Sequence, residues 1–259
     1  MELKIENLPF TAFALALLLA PLAAAGTTDL KKETGLLRMN TEGRDDRSTW
    51  LYVPKSYDPT RRYPLIVVLH PAGLRGEPFA SAWGETAGRA GAFVVLAPEC
   101  RDTKKRIWTL ADEADVAATT KRIIVAYDID PARVLLTGFS QGANFTYIFG
   151  LRNPTLFRAI APVSGVLAAR PSPESEKILQ AARGVPTYIC HGAQDDRFPV
   201  ARAREARDRL EKLGYNVTYR EDPLTGHAFP PGEYDRIWRW FNALFEAPAR
   251  EKEPAKKAE

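Results

Sequence analysis

Short apolar runs alternate with longer stretches of helical period along most of the chain. The runs are 49–53 (TWLYV), 63–70 (YPLIVVLH), 93–97 (FVVLA), 134–137 (VLLT), 159–163 (AIAPV), 187–190 (TYIC) and 217–220 (VTYR). Gly and Pro punctuate the series, as expected of short strands buried on both faces. Between or after them, residues 112–127, 141–151, 200–213 and 234–245 space their apolar positions by three and four, which predicts helices. This alternation predicts an α/β fold, a mostly parallel sheet with helices on both faces. No clear helical pattern separates the first strands, so the sheet is expected to start antiparallel.

The two ends of the 259-residue chain read differently. In residues 1–25, Lys4 precedes an apolar run from Phe10 to Leu22, and Ala23, Ala24 and Ala25 form a small-residue site. That layout predicts a secretory signal peptide cut near Ala25, and so a secreted or periplasmic protein. The run is shorter than the roughly 20 apolar residues of a membrane span, and Pro21 interrupts it; an uncleaved anchor is the alternative. Residues 26–246 are expected to form one domain. Residues 247–259 (APAREKEPAKKAE) are charged and rich in Pro and Ala, a composition expected to be disordered.

Charge adds little. The formal net charge is +4, but Lys and Arg are interspersed with Asp and Glu as on a solvated surface. No basic stripe with interleaved aromatics points to nucleic acid.

The candidate chemistry begins at Gly138-Phe139-Ser140-Gln141-Gly142, a G-x-S-x-G match. The pattern means little alone, but here it joins the run VLLT to the helical stretch QGANFTYIFGL. A sharp strand-to-helix turn exposes the serine hydroxyl, and flanking glycines relieve crowding there. LIVVLHPAG, GFSQGANFTY and HGAQDDRFP together resemble α/β-hydrolases of the esterase group. The phospholipase/carboxylesterase, dienelactone-hydrolase-like and polyhydroxybutyrate-depolymerase or feruloyl-esterase-like branches are the most similar. The resemblance spans about residues 48–245 and implies an α/β-hydrolase fold. In the strand order it implies, the runs carrying Cys100 and Cys190 are not neighbours. A disulfide is therefore not expected, since its Cα atoms must lie within about 7 Å.

A serine hydroxyl needs a positioned base. The histidines are His70, His191 and His227. In this fold the order along the chain is Ser, acid, His, which leaves His191 and His227 after Ser140. His227 lies in a loop after the last apolar run, where the family places its base. His70 and His191 are expected to brace loops at strand ends. HGAQDDRFP matches the family's H-G-x-x-D-x-x-x-P loop and aligns Asp195 with the acid; Asp196 is the rival.

Acyl transfer also needs N–H donors for the developing oxyanion. The residue after the nucleophile, Gln141, supplies the first. The second belongs to the loop after LIVVLH. Pro71 has no N–H, so Ala72 is the expected donor, with Gly73 and Leu74 as fallbacks. The segment between Ser164 and Gly184 is short, and no other is long enough for a large cap. Trp83, Trp108 and Phe229 are expected in loops near the strand ends, where ligands bind in open α/β sheets. They are candidate substrate contacts.

These residues imply a serine esterase acting on a small-molecule or polymeric ester, with no metal or cofactor required. A peptidase or amidase using the same residues is one alternative. An inactive hydrolase-fold binding protein is the other, although every expected catalytic position holds a competent residue.

Overall fold

The computed structural model describes residues 33–41, 44–167 and 172–246. The expected signal peptide and charged tail lie outside the described residues. Eight strands form one sheet: β1 (Gly35–Thr41), β2 (Arg44–Val53), β3 (Tyr63–Leu69), β4 (Val94–Pro98), β5 (Ile129–Phe139), β6 (Ala159–Val163), β7 (Thr187–Gly192) and β8 (Val217–Asp222). Their spatial order is β1-β2-β4-β3-β5-β6-β7-β8. β2 runs antiparallel to β1 and β4, and every pairing from β4 to β8 is parallel. The antiparallel start is as expected.

β3 and β4 are buried along their whole length because both of their faces are covered. In β3, Leu65, Val67 and Leu69 enter one core while Ile66 and Val68 enter the other. β4 divides likewise, with Val94 and Leu96 on one side and Val95 and Ala97 on the other. This is the two-residue period of a strand inside a three-layer domain. Helices α2 (Glu113–Ala126), α3 (Gln141–Arg152), α4 (Pro173–Ala181) and α5 (Ala201–Lys212) send Ile123, Phe149, Leu179 and Leu210 into the first core. Helices α1 (Glu77–Ala90) and α6 (Glu233–Ala243) fill the second with Phe79, Trp83, Ile237 and Phe241.

Three elements depart from the sequence expectation. β1 is an additional edge strand. α1 connects β3 to β4, a step expected to lack a helix. Its buried face includes Ala80, Gly84 and Ala87, and a side chain at Gly84 would strike the ring of Tyr52. Small residues at a close helix–strand approach carry little hydrophobic signal. α4 occupies the segment after β6 and buries only Leu179, under a Ser172–Ser175 capping box. Among the described residues no connection carries a large cap.

Cys100 and Cys190 are buried free thiols. Burial pushes the Cys100 thiol up to about 12 and also raises that of Cys190. His70, Ser140, Ser164 and the 193–195 turn follow β3, β5, β6 and β7, so they share the carboxyl edge of the sheet.

Candidate active site

Ser140 sits between β5 and α3 with φ 55° and ψ −119°. A non-glycine residue at positive φ is costly and needs support from its surroundings. Here the Ser140 N–H donates to Val163 O at 3.0 Å on β6, and the Ser140 carbonyl accepts the first helical bond from Asn144 N–H at 3.1 Å. Gly142 lets α3 lie against the end of β3, since a Cβ there would fall on the Leu69 carbonyl.

The Ser140 Oγ is 2.8 Å from His227 Nε2, and His227 Nδ1 is 2.8 Å from Asp195 Oδ2. Asp195 is an acceptor, so Nδ1 carries the imidazole proton and Nε2 is left to accept from the Ser140 hydroxyl. The His227 ring packs between Phe139 and Phe198, with centroids at 5.1 and 5.5 Å. The structure therefore brings Ser140, His227 and Asp195 into one hydrogen-bonded chain, while Asp196 faces solvent.

Two loops are stitched together, and they carry Asp195 and His227. Ala193 N–H donates to Asp222 O at 2.8 Å and Gln194 N–H to Thr225 O at 3.0 Å. Gly192 permits this contact, because a Cβ there would fall on the Thr225 carbonyl. The Asp195 side chain is fully buried. Its Oδ1 accepts from the N–H groups of Arg197 at 2.9 Å and Phe198 at 2.8 Å. Burial alone would raise its pKa. The Phe198 N–H, His227 and the Arg197 N–H outweigh that and hold the carboxyl below its usual value.

The loop after β3 is held from several sides. The fully buried His70 donates from Nδ1 to Pro71 O at 2.8 Å, and its Nε2 accepts from Cys100 N–H at 3.4 Å. Burial lowers the His70 pKa to about 4, so the ring is neutral at pH 7. Gly73 N–H donates to Arg106 O at 3.1 Å and Leu74 N–H to Pro71 O at 3.3 Å, so both fallback donors are engaged. Ala72 N–H has no acceptor among the described residues. Gln141 N–H is the first of α3 and lacks a partner within the helix.

The three aromatic candidates part company. Trp83 is not in a loop; it lies within α1 at 0% exposure, edge-on to Phe93 and Tyr234, where no substrate reaches it. Trp108 is in a loop but only 2% exposed. Its indole N–H donates to His70 O at 2.8 Å and its backbone N–H to Gln141 Oε1 at 3.1 Å, bridging the β3 loop and α3 from inside. Phe229 is half-buried, stacked on Tyr234 at 4.2 Å and 6.2 Å from Phe139, beside His227.

One further feature escaped the sequence reading, and one expected loop brace is in place. Leu74 and Ile107 are exposed on the adjoining 71–76 and 101–110 segments. His191, fully buried, places Nε2 2.7 Å from Phe198 O and 3.3 Å from Asp195 Oδ2. Among the described residues no cluster of His, Cys, Asp and Glu is suited to a metal ion.

The sequence pattern of the phospholipase/carboxylesterase family matches residues 101–244, more than half of the chain. The chain belongs to that family. One relative is acyl-protein thioesterase 1 of Gibberella zeae, 31% identical over 110 residues, which are 42% of this chain and 47% of that protein. Another is a bifunctional acetylxylan esterase/xylanase of Neocallimastix patriciarum, 30% identical over 65% of this chain and 23% of that protein. This family member thus spans less than half the length of either. Among solved structures, a thermostable esterase superposes with a TM-score of 0.64 at 23% identity, over 80% of this chain and 62% of that one. That likeness is one of fold.

Proposed function

We propose that this family member is a serine-dependent carboxylic-ester hydrolase working through an acyl-enzyme. The observation that carries the proposal is the unbroken chain from Ser140 Oγ through His227 to the buried Asp195, with Ser140 at a left-handed strand–helix turn. Ser140 Oγ attacks the ester carbonyl carbon as His227 Nε2 takes the hydroxyl proton. Asp195 holds the Nδ1–H and stabilises the imidazolium. The carbonyl oxygen becomes an oxyanion, held by the N–H groups of Ala72 and Gln141. Each such donor contributes about 3–4 kcal/mol in comparable sites. Collapse expels the alcohol, protonated by His227. Water, deprotonated by the same imidazole, then attacks the acyl-enzyme and releases the acid.

Leu74, Ile107 and Phe229 supply apolar contact for the acyl or alcohol group. The proposed substrate is an ester reached without displacing a large cap, either a small molecule or a group on a polymer. Export to a secreted or periplasmic location is part of the proposal, supported by the apolar run and small-residue site of residues 1–25.

A fluorophosphonate probe tests the nucleophile directly. Mass spectrometry is expected to find one adduct, on the peptide that contains Ser140. An adduct elsewhere, or none, overturns the proposal.

A further inference from the structure

His191 is the second imidazole at Asp195, and the mechanism above leaves it unused. It ends the apolar part of β7 and is fully buried. Its Nε2 faces two acceptors, Phe198 O and Asp195 Oδ2, so Nε2 carries the proton. Its Nδ1 is buried with no hydrogen-bond partner among the described residues. An orphaned buried polar atom costs about 1–3 kcal/mol, which calls for a gain at the other end of the ring.

We infer that His191 is a positioning residue for Asp195 and, through it, for His227; the inference rests on the triad proposed above. His191 Nε2–H holds the Phe198 carbonyl, and the N–H of that same residue holds Asp195 Oδ1. With Oδ1 fixed by Phe198 and Arg197, the carboxylate plane cannot turn, and Oδ2 stays aimed at His227 Nδ1. The Phe198 ring also stands edge-on to His227. Moving Phe198 therefore frees the acid and removes one wall of the base together. The other charged groups nearby have separate partners. Glu221, opposite His191 on β8, is engaged by Arg204 and Tyr219, and Asp222 by Arg220 and Thr225. Asp196 and Arg197 are exposed.

The test compares His191→Leu and His191→Gln in the full chain, with His191→Asn replacing the leucine variant if that one fails to fold. The Gln amide reaches the Nε2 position; the Asn amide stops at Nδ1. Turnover of p-nitrophenyl butyrate is measured from pH 4 to 9, with melting temperature and active-site titre alongside. His191→Leu is expected to lose roughly tenfold or more in kcat with KM little changed. Its acidic limb of kcat/KM should move to lower pH, because a carboxylate no longer held against His227 favours the imidazolium less. His191→Gln is expected to recover most of kcat and to return the limb. An unmoved limb, with activity lost only in step with titre or melting temperature, makes His191 merely structural and overturns the inference. A limb moved to higher pH overturns it too, because Asp195 then stayed in place. Failure of the esterase proposal is seen separately: wild-type protein would show no turnover, or Ser140→Ala would retain it.

Discussion

Asp195 Oδ2 lies 2.8 Å from His227 Nδ1, while the adjacent Asp196 points to solvent. One residue of backbone thus separates a fully buried, fully hydrogen-bonded carboxylate from a solvated one. Asp195→Asn is expected to reverse the hydrogen-bond polarity at Nδ1 and cost roughly 10³–10⁴ in kcat. Asp196→Asn should stay within about twofold of wild type, as surface substitutions away from such features usually do. Steady-state kinetics on a p-nitrophenyl ester rank the two, and the reverse ranking exchanges their roles.

Trp108→Phe should slow the reaction without weakening substrate binding. The change removes the indole N–H that holds the His70 carbonyl at 2.8 Å, two residues before Ala72. A neutral hydrogen bond of this kind contributes about 1 kcal/mol, so kcat/KM should fall roughly fivefold to tenfold with KM nearly constant. Unchanged kcat would mean that the loop after β3 keeps its position without Trp108.

Trp83→Ala should behave in the opposite way. Its side chain has 0% exposure between Phe93 and Tyr234, and truncating a buried aromatic costs about 3–5 kcal/mol. Chemical denaturation is expected to report that loss, while KM of the remaining folded protein stays the same. Phe229→Ala should instead raise KM with a small effect on stability. A KM effect at Trp83 would contradict its burial.

His70 makes the fold sensitive to mild acid. Burial lowers its folded-state pKa to about 4, below the 6.5 of an exposed histidine. The unfolded chain takes up the proton first as pH falls. Stability is therefore intact above pH 6.5 and declines towards pH 4, by about 3 kcal/mol in all. His70→Gln should flatten denaturation midpoints across that window. An equally steep decline in the variant would assign the acid sensitivity to another group.

The strands were legible where both faces are buried. β3 and β4 read as unbroken apolar runs because consecutive side chains enter separate cores. β1 was not legible because it is an edge strand: Leu36 is 40% exposed while Leu37 packs inward. α1 hid behind its alanines and behind Gly84 and Gly88, which the Tyr52 side chain requires to be small. At the site, the G-x-S-x-G turn pointed to Ser140, chain order and loop position to His227, and the family-like HGAQDDRFP loop to Asp195 over Asp196; the structure brings these three into contact. The contact between His191 and Asp195 was not legible. It goes with a turn closed by Asp195 N–H on Gly192 O at 3.2 Å and docked on Thr225 O, a backbone path that the residue types alone do not specify.

The most direct measurement is hydrolysis of p-nitrophenyl acetate and butyrate by purified wild type and Ser140→Ala. The proposed mechanism predicts turnover by wild type, with an acyl-enzyme burst, and its loss to near background in the variant. Equal turnover by the two proteins would contradict it.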